Sequence, residues 1–262
     1  MIIQIIILVF IVIIAAVIWK WKPSRKKVEL AFTSSDIRNI LLENVLYYQR
    51  LSNNDKLLFE TKVLDFLQQV RIEGVGLTAD DTDKVLVAAS AIIPIFRLKH
   101  EWQYSNLTDV LLYPDNFNDS FQFKEAADRN IMGMVGSGYM NGKMILSQHA
   151  LRQGFSIQND KSNTAIHEFV HLLDKSDGAV DGVPENLLAH QYTIPWIDLM
   201  HQQIESIKRN ESDINPYAAT SKSEFFAVIS EYFFERPELL KTKHPGLYNY
   251  LDKIFDQKAL KT

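Results

Sequence analysis

His167, Glu168 and His171 stand at HExxH spacing within the stretch NTAIHEFVHLLD, residues 163–174. On a helix, residues four apart share a face, so both imidazoles can reach one ion. Glu168 then falls beside the water such an ion activates. The pattern predicts the Zn2+ site of a peptidase, with His167 and His171 as ligands and Glu168 as catalytic base. The same pattern arises by chance in roughly one chain of this size in a hundred. Here the neighbouring residues are apolar, where two imidazoles and a carboxylate are costly without partners, and this favours the metal.

Catalytic zinc takes three protein ligands and keeps one position open, so a third ligand must come from elsewhere in the chain. Glu224 and Glu231 lie two helical turns apart on one face, and either carboxylate could point inward. Glu224 also fits a Ser-x-x-Glu capping box with Ser221. Asp177 occupies the ligand position of a different HExxH pattern, but that pattern needs a turn glycine where this chain has Asp174. His190, His201 and His244 are isolated and read as surface or hydrogen-bonded residues. Asp174 follows His171 on the same face and could orient an imidazole from behind the metal. Tyr217 could donate its hydroxyl to the oxyanion of a tetrahedral intermediate, or simply pack.

Other chemistries find little support. The chain has no cysteine, which excludes disulfides, thiolate zinc sites and cysteine nucleophiles. It has no glycine-rich phosphate loop followed by Lys-Ser/Thr. Ser137 has glycines directly on both sides, whereas a nucleophile elbow places them two residues away.

Elements of ordinary kind must position these groups. The 262 residues are 47% hydrophobic and 23% charged, enough for a sizeable core. Apolar residues at three-to-four spacing predict helices over 36–72, broken near Ser52, and over 78–96, capped near Thr78 or Asp80 and ended or kinked by Pro94. Further helices are expected at 149–152, 162–173, 187–208 and 222–234, with a loop rich in Asp and Gly at 174–186. Residues 108–114 read as a strand. Residues 131–147 read as a hairpin turning at Asn141-Gly142. Its second strand, 143–147, is either an ordinary sheet strand or an exposed edge for an extended peptide. The fold class is α+β, mostly helical with a small antiparallel or mixed sheet.

Residues 1–19 carry no charge and a single strongly polar side chain, Gln4; Lys20, Lys22, Arg25, Lys26 and Lys27 follow. The run is close to the length of a hydrocarbon layer, and positive charge after it predicts a single-pass N-terminal transmembrane helix with the catalytic domain in the cytoplasm. The expected organisation is an anchor at 1–19, a basic juxtamembrane linker at 20–35 and a zinc peptidase domain at 36–262. The net charge is −4 with those five cations included, so the remainder is decidedly acidic, which argues against nucleic acid as a partner.

Several ordered blocks resemble the Mlc titration factor A family of zinc-dependent peptidases: VLLYPDNF at 110–117, MILS at 144–147, HEFVHLLD at 167–174 with Asp181-Gly182-Val183-Pro184 after it, and the stretch from Tyr217 through Glu224 to EYFFERP at 231–237. The resemblance implies a zincin-like, gluzincin-type core, with Glu224 as third zinc ligand and Tyr217 near the metal. It implies peptidase activity on short peptide or protein substrates and a regulatory link to the Mlc transcriptional repressor of glucose uptake. An alternative reading is a regulatory binding protein that keeps the peptidase fold and sequesters such a partner.

Overall fold

In the computed structural model, which describes residues 28, 33–99, 102–118, 120–122, 128–136, 140–157 and 160–257, an almost wholly apolar helix occupies the centre. This helix, α4 (Asp81–Ile95), is buried at every position from Val85 onward. A helix apolar on all sides must be covered on all sides. α1 (Ser34–Asn44), α3 (Asn53–Gln69), α5 (Gln148–Ser156) and α6 (Thr164–Asp174) supply that cover, with α2 (Leu46–Gln49) linking α1 to α3. A reciprocal capping box of Asp80 and Asp83 starts α4. Asp83 also accepts bonds from Gln148 Nε2 (2.6 Å) and Arg152 Nε (2.7 Å), which tie α5 to it. Pro94 sits in the last turn, so the helix expected over 78–96 runs 81–95.

The sheet is small and mixed. Strands β1 (Arg71–Gly74), β2 (Asp109–Tyr113), β3 (Gly133–Val135) and β4 (Lys143–Ser147) lie in the order β1-β2-β4-β3. β1–β2 and β2–β4 are parallel, and β3–β4 is antiparallel. The hairpin at 131–147 is therefore present, but β3 stops at Val135, and Gly142 takes a positive φ of 88° before β4. β4 is an inner strand rather than an edge; the edge on that side is β3. Residues 71 and 72, read as the end of a helix, belong instead to β1. Four residues are too few for their alternation to stand out.

The C-terminal third is helical: α7 (Thr193–Lys208), α8 (Lys222–Glu235), α9 (Pro237–Lys243) and α10 (Pro245–Phe255), with a 3-10 turn at Pro216–Ala219 leading into α8. α8 lies directly against α6. On α6, Phe169 is fully buried with its ring 5.7 Å from Phe66 and 5.1 Å from Tyr104. Burying such a ring stabilises by about 1.5–3 kcal/mol, and it holds the HExxH helix to α3 and to the chain ahead of β2.

The expectation of a single-pass membrane protein with a cytoplasmic catalytic domain is corrected: among the described residues, no helix is long and apolar enough to cross a membrane. The physical reason is length and use. A span needs about 20 apolar residues; α3 has 17 and mixes charged residues with apolar ones, while the 15 residues of α4 are enclosed by the core. The anchor expected at 1–19 lies outside the described residues, as does most of the linker expected at 20–35.

Candidate metal centre

The site is made where α6 and α8 cross beside β3. Asn163 starts α6: its side-chain oxygen accepts from Ile166 N (3.2 Å), the ordinary N-cap bond. The helical turn then stacks His167 under His171 on the face towards α8. Their Nε2 atoms lie 3.0 Å apart. Glu224 Oε2 lies 2.8 Å from His167 Nε2 and 3.4 Å from His171 Nε2. Tetrahedral zinc at its usual bond lengths spreads its ligand atoms about 3.3 Å apart, so this trio fits one such ion.

The chemistry of the donors supports the same fit. Glu231 Oε1 lies 2.6 Å from His167 Nδ1, and a carboxylate there makes Nδ1 the protonated nitrogen. The Nε2 lone pair of neutral His167 then faces His171 Nε2 and Glu224, an arrangement that needs a cation or a proton between them. Without an ion, burial opposes a charge on His167, but Glu231 and Glu224 overcome it and hold its pKa well above the ordinary value. Burial pushes Glu224 upward, yet the bonds from His167 and His171 prevail and lower it to about 2.

Glu168 is 6% exposed and lines the same cleft as that trio. Burial raises its carboxyl above the ordinary range, with the two imidazoles pulling the other way. Its room comes from β3. A Cβ on Gly133 would sit 2.6 Å from Glu168 Cγ, so only glycine lets the strand pass this close. Nothing local in the sequence marks Gly133 for this; its position next to the Glu168 carboxyl is a property of the fold.

Tyr217, on the 3-10 turn before α8, is half exposed with its ring centroid 6.1 Å from that of His167. Burial and the Glu224 carboxylate raise its phenol pKa, so it stays a donor at neutral pH. Together with Gly133, Met134 and Val135 of β3, Val180 and Ser223, it borders an open cleft of about 320 Å³ over the metal trio.

The remaining candidates fall elsewhere. Glu231, one of the two carboxylates on the α8 face, stands behind His167 and also accepts from Asn163 N (2.6 Å) and Ser162 Oγ (3.2 Å). Asp174 does not reach an imidazole; it is buried and accepts twice from Gly182 N (3.0 and 2.9 Å). Gly182 has φ 77° and passes its carbonyl to Trp196 Nε1, so Asp174 fixes the loop after the helix. Asp177 accepts from Ala179 N and Glu185 N in that loop. His244 bonds Asp213, and His190 and His201 are exposed. Ser221 Oγ accepts from Glu224 N, but the carboxylate of Glu224 turns to the histidines, so only half of the capping box forms.

Glu235 lies one turn beyond Glu231. Burial pushes its carboxyl from the ordinary 4.5 up to about 7, against a bond from Asn163 Nδ2 (3.2 Å). The folded chain thus holds this proton more tightly than the unfolded chain. Its contribution to stability declines as pH rises from about 4.5 to 7, and the cost persists above that. Glu235→Gln keeps an oxygen for Asn163 and removes the buried charge. It is expected to stabilise the fold by on the order of 1–3 kcal/mol near pH 8 and by little near pH 4. Thermal unfolding at both pH values checks this; an equal gain at both would mean the charge is not the cause.

The profile of the glucose-regulated metallo-peptidase M90 family matches residues 18–256. Among curated relatives, an uncharacterized protein of Synechocystis sp. is 31% identical over 229 residues, covering 82% of each chain. Mlc titration factor A of Escherichia fergusonii is 29% identical over 207 residues, 74% of this chain and 76% of the relative. Mlc titration factor A of Escherichia coli K12 is 27% identical over 254 residues, 92% of each. A family of metallopeptidases implies a metal ion, in keeping with the donor trio. The resemblance carried by the HExxH and Tyr217–Pro237 blocks is borne out: this chain belongs to the glucose-regulated metallo-peptidase M90 family.

Proposed function

We infer that this chain is a zinc-dependent peptidase whose activity resides in a domain over residues 36–262. The observation that carries the reading is the convergence of His167, His171 and Glu224 beside the buried carboxyl of Glu168. These three residues would hold Zn2+, which when bound acidifies water and polarises a carbonyl. Glu168 takes the proton of the attacking water and returns it to the leaving amine; its raised pKa brings it closer to the working pH of a general base. Glu231 keeps His167 in the tautomer whose Nε2 is free to ligate. Tyr217 donates its hydroxyl to the developing oxyanion.

β3 supplies a place for the substrate. Ser147 N donates to Met132 O and Gly136 N to Lys143 O. Alternation along an antiparallel ladder then turns the backbone groups of Gly133 and Val135 away from β4, towards the cleft. An extended peptide can pair with them.

The test is direct. Purified protein should hold about one zinc per chain and hydrolyse peptides, lose hydrolysis on chelation and regain it with added zinc. Protein that takes up no zinc after reconstitution would overturn the assignment. A second reading is favoured by the names of the relatives, a titration factor for Mlc: a regulatory protein that sequesters a partner such as a transcriptional repressor. A tight stoichiometric complex with such a repressor, formed without proteolysis, would favour it.

A further inference from the structure

A second and larger cavity, about 450 Å³, opens directly beside the metal cleft. Val135 and Lys175 line both. One groove therefore continues between β3 and the end of α6, from Gly133 and His171 to Gly136 and Leu172. Its far wall is the segment from Trp102 to Leu107, and the β3–β4 turn at Asn141 and Gly142 closes it.

The charge of this cavity is one-sided. Its charged lining residues are Lys143 and Lys175, and no carboxylate lines it among the described residues. Lys143 is neutralised by Asp109 at 2.9 Å. Lys175 has no acidic partner among the described residues and stands half-buried at the junction of the two cavities. A cation without a protein counter-charge, beside a space large enough for a side chain, suits a ligand that carries negative charge.

Resting on the peptidase reading above, we propose that this cavity is a substrate subsite for a carboxylate, with Lys175 as its counter-ion. Lys175 follows His171 by about one helical turn, or about 5.4 Å. An extended peptide on β3 advances about 3.3 Å per residue. The recognised carboxylate thus belongs to a residue about one or two positions from the bond that is cut. It comes either from an acidic side chain or from the end of the peptide. The distinct role open to Lys175 is structural: it caps α6, its N–H bonding His171 O.

The experiment uses the zinc-loaded full chain and peptides of one sequence that carry Glu, Gln or Lys at successive positions, each as free acid and as amide. Two quantities are read: kcat/KM, and equilibrium binding to the Glu168→Gln protein. The Glu peptide, or the free acid if the terminus is the source, is expected to exceed its Lys or amide counterpart by about tenfold in both. Lys175→Glu should invert that order; Lys175→Ala should level it. A role confined to the backbone cap, which both substitutions keep, would leave the ratio of the peptides unchanged, which would overturn the proposal. Equal binding of Glu and Lys peptides at every position, with free acid and amide also equal, would overturn it as well. Hydrolysis of neutral peptides without any acidic preference would sink the subsite and spare the peptidase. Acid-selective binding that depends on Lys175, without hydrolysis of any peptide, would support the subsite and sink the peptidase.

Discussion

Glu168→Gln is expected to retain about one zinc per chain and to lose hydrolysis by about 10²- to 10⁴-fold in kcat/KM. Glutamine matches glutamate in size, so the gap left by Gly133 still accepts it. What it lacks is a carboxylate that can take a proton. The carboxylate is not one of the three converging donors, so metal uptake does not depend on it. Removing a charge that burial disfavours also leaves the fold no weaker. Metal analysis alongside steady-state kinetics on one preparation checks both halves. Full activity in this variant would show that another group is the base.

Glu224→Ala is expected to lower zinc affinity by more than about 100-fold, beyond the usual effect of losing a residue that only supports a ligand. The carboxylate bridges both histidines and is held ionised by them, so its loss leaves two imidazoles and an open side. The start of α8 should survive, because the cap at Ser221 accepts from the backbone N–H of residue 224 and not from its side chain. Competition titration with a chromophoric chelator measures the affinity, and the unfolding temperature reports the fold. A variant that binds zinc as tightly as the parent would move the third ligand elsewhere, with Glu231 the next carboxylate on that face.

Much of the site could be read from the chain because its parts are local. HExxH needs only helical periodicity to bring His167 and His171 together, and the apolar residues around it predict a buried helix. The start of α3 behind Ser52 and that of α4 behind Asp80 follow from hydrogen bonds spanning three residues. Glu224 was ambiguous for a physical reason: at the third helical position, a glutamate can either fold back on its own cap or reach across to another helix. Only the position of α6 decides between them.

What escaped the reading is non-local. That β4 is flanked on both sides, and that β3 forms the edge, depends on pairings between residues far apart in sequence. Asp174 has the right spacing to serve His171, yet the backbone of Gly182 competes for it and is closer to hand. Helices α9 and α10 lie beyond the elements expected from the sequence; Pro237 and Pro245 are their first residues, the position where proline starts a helix. The membrane reading rested on residues 1–27 alone, and no helix among the described residues supports it.

Both carboxylates that grip His167 ride on one rod, α8, and they stand 57 and 64 residues away from it along the chain. No fragment centred on HExxH carries the complete set of donors. An ion bound here would therefore act as a latch on long-range assembly, fastening the C-terminal third to the rest. At a free zinc concentration a hundred times the dissociation constant, such a latch adds about 2.7 kcal/mol to the native state. Any stress that lifts α8 off α6 would release the ion while the apolar centre around α4 still held, so loss of metal would be an early sign of unfolding.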